Sequence, residues 1–506
     1  MKRLLVAMLG LVCAPALLAQ DFTDALRYGQ EYQNGSARFQ AMGGAFGALG
    51  GDLSALQINP AGSVIFKNSF ASVSLVAGGN DVDSSYNGES RNSDDSDLSF
   101  AQIGGTWVFN STDETQDWNR FAFSVNMDQM RNLDQNFDAS GSTDFSISDY
   151  FVEQANGLPL NLLTLQGGER ISDLYQFLGE TEGFGAQQAF LGYQSFVIEA
   201  NDPNDQNQTQ YFSNVGAGPV NQFIAVSDRG ANRKINFNFA AQYKQNTSIG
   251  INLNLHTIDS ERFTTLQEDN NNGGLVSTIR YQNLLNTEAA GFSAQVGVIQ
   301  KYDNLRLGLS YQTPTWYSVE EALLQEIATA RSDGNGGTIT EFIEPGVINL
   351  YEDYKLRVPG HLTASAAYLF GKKGLISADV TFRDYTSYQL DDDFGALDAS
   401  DVVFEEDFNS SAVDYRLGAE YRASPKWSLR AGYRFQDSPF DDDELDGDIS
   451  AWSAGLGYNL GKTQIDLAYD RATSNGFTQF TAAGLSDPVA FDRTLSNVTL
   501  TLGFQL

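Results

Sequence analysis

Cysteine is almost absent: among 506 residues only Cys13 carries a thiol. It lies in an N-terminal stretch, MKRLLVAMLGLVCAPALLAQ. There Lys2 and Arg3 precede an apolar run from Leu4 to Leu18, and Ala19 offers a small residue before Gln20. This is the pattern of a secretory signal peptide over residues 1–19. Val12 stands where a small residue precedes a lipidated cysteine, so lipidation is not expected. The mature chain then has no thiol chemistry and no disulfides. Histidine is nearly as scarce: His256 and His361 are the two in the chain. No metal or haem ligand set can be assembled from them, and no cofactor is expected. After the signal, no apolar run approaches the ~20 residues of a membrane helix. Basic residues are few, 31 against 64 acidic ones, for a net charge of −33. That excludes the basic footprint of a nucleic-acid-binding protein.

What is present is alternation. Aromatics make up 12% of the chain, there are 48 glycines and 5 methionines, and mean hydropathy is −0.29. An apolar lipid face alternating with a polar lumen face produces such a composition; a large secreted β-protein is the other reading. In KINFNFAAQY (234–243), Ile235, Phe237, Phe239 and Tyr243 share one face, with Asn236, Asn238 and Gln242 on the other. SIGINLNLHT (248–257), KWSLRAGYRF (426–435) and the terminal NVTLTLGFQL (497–506) repeat the pattern. Strict period two argues for strands wetted on one side. We place strands near 68–79, 97–109, 119–130, 233–244, 247–260, 288–301, 303–312, 353–369, 372–390, 408–422, 425–437, 447–459, 462–473 and 493–506. Each can supply the roughly 9–11 tilted residues of a membrane strand.

The connections between these strands are alternately short and long. The short ones carry Lys244, Lys301, Lys372, Lys373, Lys426 and Lys462 at or beside them. The long ones, including 80–96, 131–232, 261–287 and 313–352, lie on the other side, with acid runs at 391–394, 404–408 and 440–448 in or beside later long connections. Short turns at one end and long loops at the other are the habit of outer-membrane barrels. The loop at 131–232 is long enough to need structure of its own. Helices are expected there at 148–158 and 172–180, and a third, amphipathic one at 317–331.

Candidate chemistry is thin. Asp442, Glu444, Asp446 and Gly447 imitate the start of a calcium loop, but its twelfth position is Ser453 rather than a bidentate Glu. His361, with Thr363 and Ser365, has no acid or amide near it on its strand, so no catalytic residue is assigned and the chain is not read as an enzyme. Arg306, Asp379, Arg383, Arg416, Glu420, Arg430, Arg434, Asp466 and Asp470 fall on lumen-type positions. Mixed charge there suits a packed or plugged interior as well as an open pore.

The N-terminal stretch GGAFGALGGDLSALQINPAGSVIF (43–66) resembles the start of the FadL/TodX (OMPP1) family of outer-membrane transporters of hydrophobic compounds. Its Asn59-Pro60-Ala61-Gly62 corresponds to the family's Asn-Pro-Ala motif ahead of the first strand. Weaker likenesses run through GLSYQTPTW (308–316), LRVPGHLTASAAY (356–368), SADVTFRDYTSY (377–388) and LRAGYRFQDSPF (429–440). The resemblance implies an all-β, 14-stranded antiparallel transmembrane barrel in the outer membrane of a Gram-negative bacterium. It implies a hatch over 20–67, a barrel over 68–506, and passive uptake of long-chain fatty acids or similar hydrophobic molecules. Phe46, Leu49, Leu53, Leu56 and Ile58 become candidates for ligand contact. Gly43, Gly44, Gly47, Gly50 and Gly51 become candidate hinges. A lateral exit is sought on the third strand, at Phe121, Phe123 and Asn126. Partners implied are hydrophobic small molecules, lipopolysaccharide and outer-membrane lipid, and the outer-membrane assembly machinery, with a monomer expected. The alternatives are an outer-membrane structural or adhesive barrel, a haem receptor and a porin. Locally, Pro60 should end any helix over 51–58, Asp52 should cap it, and Gly62 should supply a positive-φ turn into the wall.

Overall fold

The computed structural model describes residues 22–29, 32–113, 116–391, 404, 407–441, 447–478 and 487–506. The signal segment, most of the acid runs, and Asp442, Glu444 and Asp446 lie outside them. Fourteen antiparallel strands close into a barrel. They are β1 (Phe70–Tyr86), β2 (Glu89–Asn110), β3 (Trp118–Asn132, continued by Gln135–Thr143), β4 (Val220–Tyr243), β5 (Thr247–Asp269), β6 (Val276–Tyr302) and β7 (Leu305–Gln312 with Thr315–Ser332). β8 (Tyr354–Val358 with His361–Leu369), β9 (Gly374–Arg383), β10 (Ala412–Arg422), β11 (Trp427–Gln436), β12 (Ile449–Asn459), β13 (Thr463–Thr478) and β14 (Val489–Gln505) complete the wall. β14 pairs with β1 from Phe70↔Gln505 to Ser85↔Ala490, which closes the ring between the first and last strands. Among the described residues no helix is long and apolar enough to cross a membrane; this chain crosses with strands.

The alternation sorts as the sequence predicts. Ile249, Ile251, Leu253 and Leu255 are exposed on the outer face, while Ser248, Asn252, Asn254 and His256 are buried inside. Trp118, Tyr302, Tyr368, Tyr421 and Trp427 stand exposed near the short-turn end, where interfacial aromatics belong.

Two expectations fail. Segments assigned to long loops are strand: β1 and β2 meet at a tight turn at Asn87–Gly88, and β5 and β6 run on to Asp269 and from Val276. Beyond the apolar band the outward faces of these strands turn largely polar, so hydrophobic alternation fades while backbone pairing continues. Residues 317–331 form strand β7, not a helix, paired with β6 from Trp316↔Phe292 to Arg331↔Val276. Tyr317, Val319, Glu321, Leu323, Gln325, Ile327 and Thr329 all point inward. The Glu/Ala/Leu content favours a helix locally, but the neighbouring strands decide.

The insertion between β3 and β4 is a helical cap. It holds α3 (Ile147–Ala155), α4 (Leu160–Leu163), α5 (Ile171–Thr181) and α6 (Phe184–Gln194), two at the expected places. The cap seats inside the far mouth. Phe151, Leu178, Phe190 and Leu191 form one apolar cluster with Val276, Ile279, Tyr281 and Ile327 of the wall.

Candidate functional site

Three layers fill the barrel from the short-turn end upward, and β5 to β7 touch all of them. The lowest is the hatch, residues 32–66. Here α2 (Ala37–Ala41) is capped by Ser36, whose Oγ accepts the Phe39 N–H at 3.2 Å. A 3-10 turn at Ser54–Gln57 stops before Asn59, and the Asp52 carboxylate accepts the Ser54 N–H at 3.0 Å. A second 3-10 helix, Pro60–Ile65, opens with Pro60 at its start and Asn59 Oδ1 accepting the Ala61 N–H at 3.0 Å.

The Asn59 side chain faces both ways. Its Nδ2 donates to Gly47 O within the hatch at 2.8 Å and to Val298 O of β6 at 3.1 Å. Pro60 and Asn59 lie against a window of wall glycines. A Cβ on Gly250 would collide with the Pro60 carbonyl, one on Gly297 with Asn59 Oδ1, and one on Gly308 with the Gly47 carbonyl. A second window faces α2: a Cβ on Gly418 would come within 2.5 Å of Met42 O, and one on Gly432 would strike Gly43 N.

Wall side chains satisfy the hatch backbone. Asn252 Nδ2 donates to Leu56 O at 2.8 Å, Asn238 Nδ2 to Pro60 O at 2.8 Å, and Gln295 Nε2 to Gln57 O and Ile58 O at 3.1 and 3.0 Å. Arg306 Nη1 donates to Leu49 O at 3.0 Å. A buried ion chain joins hatch and wall: Arg38 to Glu420 at 3.0 Å, Glu420 to Arg430 at 2.9 Å, and Arg430 to Asp466 at 2.6 Å.

The candidate residues divide. Phe46, Leu49 and Ile58 belong to the hatch's own apolar cluster with Phe39 and Met42; Leu53 and Leu56 are fully buried. Of the five, Ile58 lines the cavity above the hatch. Gly43, Gly44, Gly50 and Gly51 take positive φ, between 58° and 72°. Gly47 instead gives its N–H to Asp379 Oδ2 at 3.0 Å. Gly62 does not make the expected positive-φ turn. It sits inside the second 3-10 helix, and its hydrogen lets Gly50 approach, since a Cβ on Gly50 would lie 2.6 Å from Gly62 Cα.

Above the hatch lies a small cavity of 40 Å³ lined by Arg383, Arg416, Arg434, His361 and Asp414. Higher still, α1 (Phe22–Gly29) enters the lumen. Arg27 pairs with Asp228 at 3.0 Å, and the Tyr28 hydroxyl shares a hydrogen bond of 2.8 Å with Thr287 Oγ1. The cap closes the top, where the Tyr175 hydroxyl donates to Gln325 Oε1 at 3.0 Å and burial pushes its pKa to about 12. His256 is buried against Ser293 Oγ at 2.9 Å.

The wall is interrupted beside the hatch. β2 and β3 pair only from Gln102↔Asp128 to Asn110↔Arg120. Above that, Glu89–Ala101 has no backbone pairing to β3, and the β3–β4 register shifts between Gln129 and Arg131. Side chains span the break: Arg91 with Asp138 at 2.9 Å, Asn136 Nδ2 with Asp95 Oδ2 at 2.9 Å, and Ser93 with Asp138. Leu98 and Phe100 are exposed at its edge. Phe121 and Phe123 lie in the paired part below, Phe123 between Trp107 and Phe239 with ring centroids 5.8 and 5.0 Å away. Asn126 is buried at the hatch, accepting from Gln102 at 2.7 Å and donating to Asp128 at 2.6 Å.

A family model described as outer membrane protein transport protein (OMPP1/FadL/TodX) matches residues 226–505, more than half of the chain. The chain belongs to this family. The FadL/TodX family consists of transport channels rather than enzymes, and its members are outer-membrane barrels of Gram-negative bacteria. The crystal structure of a Pseudomonas aeruginosa FadL homologue shares the fold at 12% identity and a TM-score of 0.54, covering 94% of this chain and 99% of that one. That of the P. putida toluene transporter TodX does so at 13% identity and 0.50, with the same coverage. No protein of curated function matches the chain. Within a FadL/TodX barrel the short turns face the periplasm, so the hatch closes the periplasmic half and the helical cap the extracellular mouth. The wall glycines and amides that hold the hatch escape a reading of the sequence. Their inward alternation is visible, but the backbone they meet is hundreds of residues away in the chain.

Proposed function

We propose that the protein is a passive channel for long-chain fatty acids, or similar hydrophobic molecules with an anionic head, that leave sideways into the membrane. The observation carrying this reading is the break between β2 and β3 beside a lumen that the hatch otherwise fills. An apolar solute gains nothing from a water-filled pore, whereas a lateral opening lets it pass from lumen to bilayer without crossing water. The arginine-lined cavity supports an anionic head: Arg383, Arg416 and Arg434 line it beside Asp414, which is 3.9 Å from Arg416, and the space suits a head group rather than a tail. Tyr385, Tyr388, Phe408 and Phe440 form an apolar cluster in the lumen, with the Arg383 guanidinium 5.4 Å from the Tyr385 ring. The wall amides that hold the hatch argue against an open porin.

The test is mass spectrometry of ligands retained by the purified protein, paired with fatty-acid uptake by a deletion strain. Retained fatty acids, lost in an Arg416→Gln plus Arg434→Gln variant, are expected. No apolar ligand together with unchanged uptake in the deletion strain overturns the reading. For the exit route, Asp95→Cys with Asn136→Cys places two thiols where side chains now touch across the break. Oxidation should suppress uptake and reduction restore it; unchanged uptake in the oxidised form rules the lateral route out.

A further inference from the structure

Beneath the hatch the lumen opens to the periplasm through a cavity of 640 Å³, within the roughly 300–1,000 Å³ of ligand sites. Its roof is hatch, with Ser36, Arg38, Gly51 and Asp52 lining it. Its sides are the β8–β9 and β10–β11 turns and the ends of β10 to β14. Six basic side chains face three acidic ones there: Arg38, Lys372, Lys373, Arg422, Lys426 and Arg430 against Asp52, Glu420 and Asp466. That excess stands on a chain of net charge −33 and is opposite to it in sign.

The three acids are already held. Glu420 takes Arg38 at 3.0 Å and Arg430 at 2.9 Å, Asp466 takes Arg430 at 2.6 Å and the Gln464 amide at 2.7 Å, and Asp52 accepts from Ser36 Oγ at 2.8 Å. Donors remain. Arg38 uses Nε on Glu420 and Nη1 on Gly51 O, while the buried Arg430 uses Nε on Glu420 and Nη1 on Asp466. The Nη2 of each makes no hydrogen bond among the described residues. Gly457 gives the Arg430 Nη2 its room, since a Cβ there would lie 2.6 Å from it. At the mouth, Lys372, Lys373 and Lys426 are exposed and form no ion pair among the described residues. Arg422 is 3.7 Å from Glu420, beyond a hydrogen bond.

We propose that this vestibule binds a small, multiply charged anion bearing phosphate or carboxylate groups. One anionic group meets the Nη2 atoms of Arg38 and Arg430, and another meets the lysines of the mouth, through charge-assisted hydrogen bonds. A single charge would leave one of these two sets of cations unmet. The ligand touches Arg38 of the hatch and Lys372, Lys426 and Arg430 of the wall, so it holds the hatch closed from below. The site is separate from the arginine-lined cavity above the hatch, for no residue lines both.

The test is isothermal titration calorimetry of the full-length protein in an uncharged detergent, with pyrophosphate, citrate and acetate. Pyrophosphate or citrate should bind at least about tenfold tighter than acetate, and the tighter of the two tells phosphate from carboxylate. Lys372→Gln plus Lys426→Gln should weaken that binding about tenfold or more. Lys244→Gln plus Lys301→Gln removes the same number of lysines from the β4–β6 side, outside the cavity, and should change it by about twofold at most. Acetate binding as tightly as both polyanions overturns the proposal. So does equal affinity of the wild type and the Lys372/Lys426 variant, or an equal loss in the two double variants. Saturation with the tighter of pyrophosphate and citrate should also slow amide hydrogen exchange over 36–57; unchanged exchange overturns the bridge to the hatch.

Discussion

The hatch and the helical cap fill the same barrel by different physics. The cap buries large side chains: Phe151, Phe190, Leu178 and Tyr281 sit in one cluster, and Phe151 meets Tyr281 edge-on with ring centroids 5.5 Å apart. The hatch brings small residues against wall glycines and has its carbonyls met by Asn238, Asn252, Gln295 and Arg306. Burial in the cap does not depend on direction, and truncating one aromatic there costs about 3–5 kcal/mol. Each hatch hydrogen bond contributes only about 1 kcal/mol net, yet a carbonyl left dry and unpaired costs more. The hatch is therefore held by many directional polar bonds, and the cap by apolar burial.

Variants can break this contrast. Gly297→Leu puts a side chain where Asn59 Oδ1 already sits, and the hatch, not the paired wall, should give way. Conductance in planar bilayers and liposome swelling with sugars should rise from near zero to porin-like levels while the barrel still assembles; a tight barrel would show that the hatch can shift without opening. Phe190→Ala should cost about 3–5 kcal/mol of cap stability, seen as faster proteolysis within 144–219, with sugar permeability unchanged. Asn59→Ala plus Pro60→Ala removes the bonds to Gly47 O, Val298 O and the Ala61 N–H, about 2–3 kcal/mol of hatch docking. Intermittent opening and altered uptake should follow; normal uptake without leak would make the motif an ordinary turn.

The wall was legible in the sequence because its signal is local. Each of the fourteen strands has an apolar lipid face, as at Ile249 to Leu255, and that repeats every second residue whatever lies across the lumen. The upper walls were not legible. In TTLQED and VSTIRYQNLLNTE the outward face turns largely polar, and pairing with β4, with each other and with β7 holds them as strands. The same reason hid β7, whose Glu320, Glu321 and Leu323 fit a helix as well as a strand until β6 is beside them. In the hatch, Asn59-Pro60 marked a helix start by its own chemistry. Gly62 misled because a glycine in sequence does not reveal whether it serves a positive φ or a close neighbour, and here the neighbour is Gly50.

The smallest effect is expected at the only ion pair that the hatch makes with the wall among the described residues below the α1 layer. Arg38 reaches Glu420, but Glu420 also holds Arg430 at 2.9 Å, and Arg430 holds Asp466. Removing one partner of a buried pair is costly when it strands a charge. Arg38→Met leaves Glu420 with Arg430; it removes the bond to Gly51 O and the attraction for buried Asp52, which the Ser36 hydroxyl and the Ser54 N–H still hold, and the methionine stem retains most of the packing. Its cost should be about 1 kcal/mol, read as a slight rise in opening frequency in single-channel recordings. Glu420→Leu should act far more strongly at the same place, since it leaves Arg38 and Arg430 facing each other without their shared carboxylate. If the two variants open the channel equally often, the hatch is anchored by Arg38 alone, and the distinction between a hatch held by many weak bonds and a cap held by apolar burial fails at its lower layer.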